Sequence, residues 1–438
     1  MLEAHTDGLR QLYQNRIMRT FYFIALLFVV NGTAAQASKE EIFSTIEKTA
    51  GVYFAYPEKE IKTQTPAPAG YAPFYISHLG RHGSRYLVSD DEYKNVIVLF
   101  ESAEKNNALT GLGKDVLKRL QLLWKEVEWR GGDLSPLGVR EQRGIAERMY
   151  KSYPQVFTNE SKVSACATTI VRCVLSMDAF CERLKEFNPA MPISRNSGMK
   201  WQQYLNHHTA EAIAYRSAPD TWKAGYKQFE KQHVQPHRLM ESLFMDKSFM
   251  NAKATPEKVM WSLFSIAGGM QNVETRISFY DLFTKQELFD LWQCRNYKTY
   301  VNDANSALNG GIMMANAIPL LRSILDSAEQ IINTNGKGAD FRFAHDGNII
   351  PLAMLLHLDG SYNSVSDPAD CYKAWCDFKV APMAGNIQIV FFRKKGSKDI
   401  LVKFLQNENE VLVPPVKSDV LPYYRWKDIA RYYKTLLQ

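Results

Sequence analysis

The chain has 438 residues, 46% hydrophobic and 23% charged, a globular balance that excludes disordered and collagen-like classes. Its 53 Lys and Arg against 46 Asp and Glu give a formal net charge of +7, which suits anionic small molecules and is too weak and dispersed to argue for nucleic acid. The only long apolar run lies at the N-terminus, which excludes a multi-pass membrane protein.

In chain order, Arg16 and Arg19 precede the apolar run Phe21 to Val30, and Asn31 to Ala37 supplies small residues at cleavage spacing, the pattern of a secretory signal peptide. The run is about ten residues, short of the roughly 20 that span a bilayer, so no stable membrane span is expected after cleavage. Residues 1–37 are read as the signal, with 1–17 as an extension upstream of the true start, and cleavage after Ala35 or Ala37 fits equally well. The product is expected to be secreted or periplasmic. Residues 1–37 carry a net +1, leaving +6 on the remainder. Export makes the six cysteines candidates for disulfides. Cys371 and Cys376, close together in a loop-like stretch, are the leading pair, whereas Cys166, Cys173 and Cys181 read equally well as small buried residues.

Tyr71 to His78 is an aromatic, β-prone run ending at Gly80, a buried strand that delivers a polar loop. Asp91 to Asn106 and Gly113 to Trp129 carry apolar residues at helical spacing. Ser135 then caps a helix with Pro136 at its first position, running to Tyr150. Lys162 to Ala165 is a short strand and Ile170 to Leu184 a helix. From Asn188 to Leu308 long helical segments rich in aromatic residues follow, with no period-2 run. Asn316 to Asn333 is an amphipathic helix and Phe341 to Ala344 a strand, whose following turn opens a helix over Pro351 to Leu358. Ile387 to Arg393 and Ile400 to Leu405 form a β-hairpin that Val411 to Val413 extends. This order predicts an α/β core over residues 38–187 and 310–438, interrupted by a helical cap, 188–309.

The chemistry concentrates at two strand ends. Arg81-His82-Gly83-Ser84-Arg85 places two guanidinium forks around one imidazole, and such forks match phosphate oxygens bidentately. Gly83 permits close backbone approach or positive φ. A His among fixed cations stays neutral and keeps a ring nitrogen free to attack phosphorus. The alternative is a surface basic loop. His345-Asp346, 263 positions later, again follows a strand; an adjacent carboxyl can protonate a departing alkoxide, or merely cap a helix. Both motifs in one chain favour the chemical reading, because ligands of open α/β sheets sit at strand carboxyl ends. His233 and His237 have metal spacing, but Pro236 between them opposes the helix it needs, and no metal or cofactor is expected.

The chain resembles the histidine acid phosphatases, the branch of the histidine phosphatase superfamily that includes phytases and multiple inositol-polyphosphate phosphatases. Arg81 to Arg85 match its Arg-His-Gly-x-Arg pattern and His345-Asp346-Gly347-Asn348-Ile349 its His-Asp pattern. Gly132 to Gly138 resembles its Gly-x-Leu-Thr-x-x-Gly segment, and Arg172-Cys173-Val174-Leu175-Ser176 the segment supplying a third phosphate-binding arginine. The resemblance implies a phosphoglycerate-mutase-like core, a mixed central sheet flanked by helices, with an inserted helical cap. It further implies His82 as nucleophile, Asp346 as proton donor, and Arg81, Arg85, Arg172 and His345 as the phosphoryl clamp. Ser84 and Asn348 are added as substrate-binding residues. Inositol polyphosphates such as phytate are the expected substrates, with broad-specificity or sugar-phosphate hydrolysis and a non-catalytic phospho-ligand binder as alternatives. Two departures stand out: Tyr86-Leu87 where the family often has Pro, and His-Asp where the inositol-polyphosphate subgroup usually has His-Ala-Glu.

Overall fold

Parallel strands need long crossovers, and the chain supplies them as helices between widely spaced strands. The computed structural model describes residues 38–245 and 254–437, so the expected signal segment lies outside the described residues. Among these, one mixed sheet contains β1 (Tyr71–Arg81), β2 (Lys162–Ala167), β3 (Ile193–Ser197), β4 (Gly338–Ala344), β5 (Asn386–Lys394), β6 (Ile400–Gln406), β7 (Asn409–Val411) and β8 (Tyr423–Arg425). The order is β3-β2-β4-β1-β5-β6-β7, with β8 also paired to β6. The β3-β2-β4-β1 half is parallel and the remainder antiparallel. Central β1 is buried along nearly its whole length, as a strand covered on both faces must be.

Alternation sends Ile76, Phe341, Phe343, Val390 and Phe392 to one face, where they pack with helices Pro136–Ser152 and Val171–Phe187. Tyr75, Leu79, Phe391 and Val402 face the other way, into a larger core shared with helices Pro256–Gly269, Lys285–Asp303, Ile318–Asn333, Asp346–Leu355 and Trp426–Thr435. The Ser135 hydroxyl accepts from Gly138 N–H with Pro136 behind it, the cap that the sequence implies.

Several expectations need correction. The segment read as wholly helical contains β3, which pairs with β2 at the sheet edge. Its residues Ser194 to Ser197 are polar, so no apolar alternation marks it. Helices Asp91–Lys105 and Gly111–Val127 pack against helices Pro256–Gly269 and His237–Leu243, so the helical layer draws on both sides of the expected boundary. The hairpin extension is limited to β7, ending at Val411. All six cysteines are free, buried thiols. Cys371 Sγ, at the start of the short helix Cys371–Ala374, faces Asn296, and Cys376 Sγ faces Ser38 and Tyr372 O.

Candidate active site

β1 and β4 run parallel with Arg81 opposite Ala344, so the residues that follow, His82 and His345, emerge side by side. His82 N–H donates to Ala344 O at 3.0 Å, and the two imidazoles meet edge to face with centroids 5.5 Å apart. β2 ends opposite the same strand, which brings Thr168 to the rim; its Oγ1 lies 3.4 Å from His345 Nε2. These strand ends form a pocket of about 380 Å³ lined by Arg81, His82, Arg85, Thr168, Thr169, Ile170, Arg172, Gln202, Asn206, His345 and Asp346.

Arg81 is buried and oriented from behind. Its Nη1 donates to the carbonyls of Val52 and Ala381, and its Nη2 pairs with Asp346 Oδ2 at 3.1 Å. Arg85 donates to Tyr86 O at 2.8 Å and to Tyr53 Oη at 3.1 Å, with its guanidinium over the Tyr53 ring. Arg172 is half-buried, and Nη1 reaches Gly132 O at 3.4 Å. Three cations thus surround one carboxylate, a strongly anion-attracting pocket.

His82 Nδ1 lies 2.9 Å from Gly83 O, and because a carbonyl can only accept, Nδ1 carries the proton and Nε2 the lone pair. Burial, then the charges of Arg81, Arg85 and Arg172, hold His82 well below the usual imidazole range, which favours the neutral ring. Burial and Arg172 take His345 to about 4. Burial alone would raise Asp346, but the charges of Arg81, His345 and Arg85 outweigh it and hold this carboxyl below its ordinary 3.8.

The Arg81–Arg85 loop is seated on the helix Pro136–Ser152. A Cβ on Gly83 would lie 2.3 Å from Gly138 O, so Gly83 serves close approach and not positive φ. Glu141 accepts from Ser84 N–H at 2.7 Å, and Gln142 donates to Arg81 O at 2.8 Å. Ser176 Oγ accepts from Gly83 N–H at 3.1 Å, tying the loop to the helix that carries Arg172.

Two residues expected to touch substrate face elsewhere. Ser84 is fully buried, its hydroxyl 2.8 Å from both Glu141 Oε1 and Asn272 Oδ1. Asn348 completes a capping box with His345, and its Nδ2 donates to Leu205 O at 3.0 Å; neither Ser84 nor Asn348 lines the pocket. His233 ends one helix and His237 begins the next, and the described residues contain no group of three or more His, Cys, Asp or Glu able to hold a metal. Sequence reasoning missed Tyr53, Thr168, Gln202 and Asn206. The strand-end rule that found His82 also applies to Thr168, directly after β2; no comparable signal marks the others.

A family model described as histidine phosphatase superfamily (branch 2) matches residues 76–407. No curated protein matches the chain by sequence. Among solved structures, the apo form of Bifidobacterium longum multiple inositol polyphosphate phosphatase shares the fold at 20% identity and a TM-score of 0.75, covering 89% of this chain and 97% of that one. Its complex with inositol hexasulfate gives 18% and 0.73 over the same shares. The phytase from D. castellii gives 14% and 0.62, covering 90% and 85%.

Proposed function

Because the chain belongs to branch 2 of the histidine phosphatase superfamily and is a phosphomonoester hydrolase, we propose that it is an exported acid phosphatase working through a phosphohistidine on His82, with inositol polyphosphates as substrates. The observation that carries the reading is the convergence of His82, Asp346 and three arginines at the carboxyl ends of adjacent parallel strands, in one pocket.

In the proposed first step, His82 Nε2 attacks phosphorus. The bond to the ester oxygen breaks, its electron pair stays on that oxygen, and Asp346 delivers the proton that makes the leaving group an alcohol. Arg81, Arg85 and Arg172, with His345, hold the three spectator oxygens and stabilise the charge spread over them. Water then attacks the phosphohistidine, Asp346 accepts its proton, and orthophosphate leaves with His82 neutral again. The Arg81 ion pair favours the ionised form of Asp346. A bound phosphate takes over the Arg81 charge and adds its own negative charge nearby, which favours the protonated acid once substrate is present.

For the substrate, the basic bias, the three-arginine pocket and the fold shared with a phosphatase crystallised with inositol hexasulfate all point to a multiply phosphorylated ring. The His345-Asp346 donor, unlike the subgroup's usual His-Ala-Glu, favours a broader monoesterase as the second reading. Purified protein is incubated with a chelator and, in turn, inositol hexakisphosphate, glucose 1-phosphate and nitrophenyl phosphate, and quenched samples are mass-analysed. A phosphoryl adduct on the His82 peptide, lost with activity in His82→Ala, is expected; phosphate release by that variant at the wild-type rate refutes the mechanism. Export predicts a recovered protein beginning at Gln36 or Ser38.

A further inference from the structure

We infer that Arg216 and His208 form a second anion subsite on the leaving-group side of the pocket, selecting esters that carry another phosphate beside the one transferred. This deepens the phosphatase reading above and rests on it.

The loop that carries His208 is pinned beside the general acid. Asn206 lines the pocket, and the preceding Leu205 O accepts from Asn348 in the first turn of the helix that Asp346 opens. On the far side, Thr209 N–H donates to Asn316 Oδ1 at 2.9 Å, and Thr209 caps helix Ala210–Ser217, whose last turn contains Arg216. His208 is therefore two residues, at most about 7 Å of chain, from the pocket wall.

Arg216 is anchored along one edge only. Its Nε donates to Asn302 O at 3.0 Å and its Nη2 to Asp303 Oδ1, while Nη1 meets only the His208 ring, with Nδ1 at 3.5 Å. About a quarter of the side chain (26%) is exposed. A guanidinium fixed at its back, with one Nη1 N–H on the imidazole and the second left over, is preorganised to receive an anion's oxygen. Its neighbour Asp303 is driven up to about 6 by burial, and the charge of Asp346 adds to the effect. Asn348, two residues after Asp346, donates to Leu205 O, which places the start of this loop on the acid's side of the pocket. Since Asp346 marks where the ester oxygen departs, a phosphate on a neighbouring carbon of the leaving alcohol falls toward Arg216 and His208.

The test compares kcat/KM for inositol hexakisphosphate with that for nitrophenyl phosphate, which has no second anion. In Arg216→Met the ratio is expected to fall about 10- to 100-fold, the range of one charge-assisted contact, chiefly through KM. Arg216→Lys recovers part of it, and His208→Gln lowers it several-fold. Should Arg216→Met fail to fold with Asp303 left unpaired, the double variant Arg216→Met/Asp303→Asn reads the same ratio. An unchanged ratio, or equal losses on both substrates, overturns the subsite while leaving the phosphatase reading intact. A wild type inactive on both esters overturns the phosphatase reading itself.

Discussion

Replacing Gly83 by alanine tests whether the Arg81–Arg85 loop depends on its seat. The added Cβ would lie 2.3 Å from Gly138 O and 2.6 Å from its Cα, whereas real Cβ atoms essentially never come within 3.0 Å of a neighbour. Both contacts are backbone, so no rotamer change relieves them, and the loop must separate from the helix Pro136–Ser152 by about 1 Å. Glu141 and Gln142 hold that helix to Ser84 and Arg81, so the shift is passed to residues on both sides of His82. A displacement of about 1 Å at the reacting groups costs on the order of 100-fold in kcat, and overpacking of this kind costs roughly 1–3 kcal/mol of stability. Steady-state turnover of nitrophenyl phosphate and urea unfolding measure the two quantities. Gly138→Ala attacks the same contact from the other side, its Cβ 2.2 Å from Ser84 O, and is expected to behave alike. Gly347→Ala is the internal control, because it adjoins Asp346 but its Cβ would meet nothing within 4 Å. Gly83→Ala within threefold of wild type in kcat, at unchanged stability, would refute the close-approach argument.

Asp346→Asn cannot donate a proton, so it should lose on the order of 100-fold or more on inositol hexakisphosphate, whose alkoxide leaving group needs one, and far less on nitrophenyl phosphate. Equal losses on both esters would contradict the assigned role. For the wild type, the acid must be protonated to act and its carboxyl is held below 3.8 by Arg81, His345 and Arg85, so kcat/KM for inositol hexakisphosphate falls as pH rises toward neutrality. The corresponding fall in kcat lies at higher pH, because bound phosphate favours the protonated acid; a profile still climbing above pH 7 would overturn this. Away from the pocket, fully buried Asp377 is pushed up to about 6 by burial, against hydrogen bonds from Trp292, Phe378 and Val52. A raised folded-state value in an acid means that its ionisation opposes folding, so stability declines from about pH 4 to about pH 6, by about 3 kcal/mol in all, and is then flat. In Asp377→Asn that slope disappears, which urea midpoints at pH 4, 5, 6 and 7 would reveal.

Local signals were legible where conformation and chemistry are both short-range. The β-prone run before His82, the one before His345, and the Ser135-Pro136 start of the supporting helix all form as their residues dictate. Signals failed where the answer depends on what lies opposite. β3 is a strand because β2 offers it a partner, although Ser194 to Ser197 has no apolar face of its own. Cys371 and Cys376, near each other in sequence, stay free thiols, one against Asn296 and the other against Ser38.

What the sequence by itself determined is the inventory: the imidazoles, guanidiniums and carboxyl that the proposed phosphoryl transfer would use, and that His82 and His345 each follow a strand. Only tertiary structure decided that the two sets meet, since their 263-residue separation is closed by the parallel pairing of β1 with β4. It also decided direction. Ser84 and Arg85 are adjacent in the chain, yet one is drawn beneath the loop by Glu141 and Asn272 while the other turns to the pocket beside Tyr53. The physical reason is that a strand's own residues set its extended form, but its register, and the side on which each following residue emerges, come from contacts with distant segments.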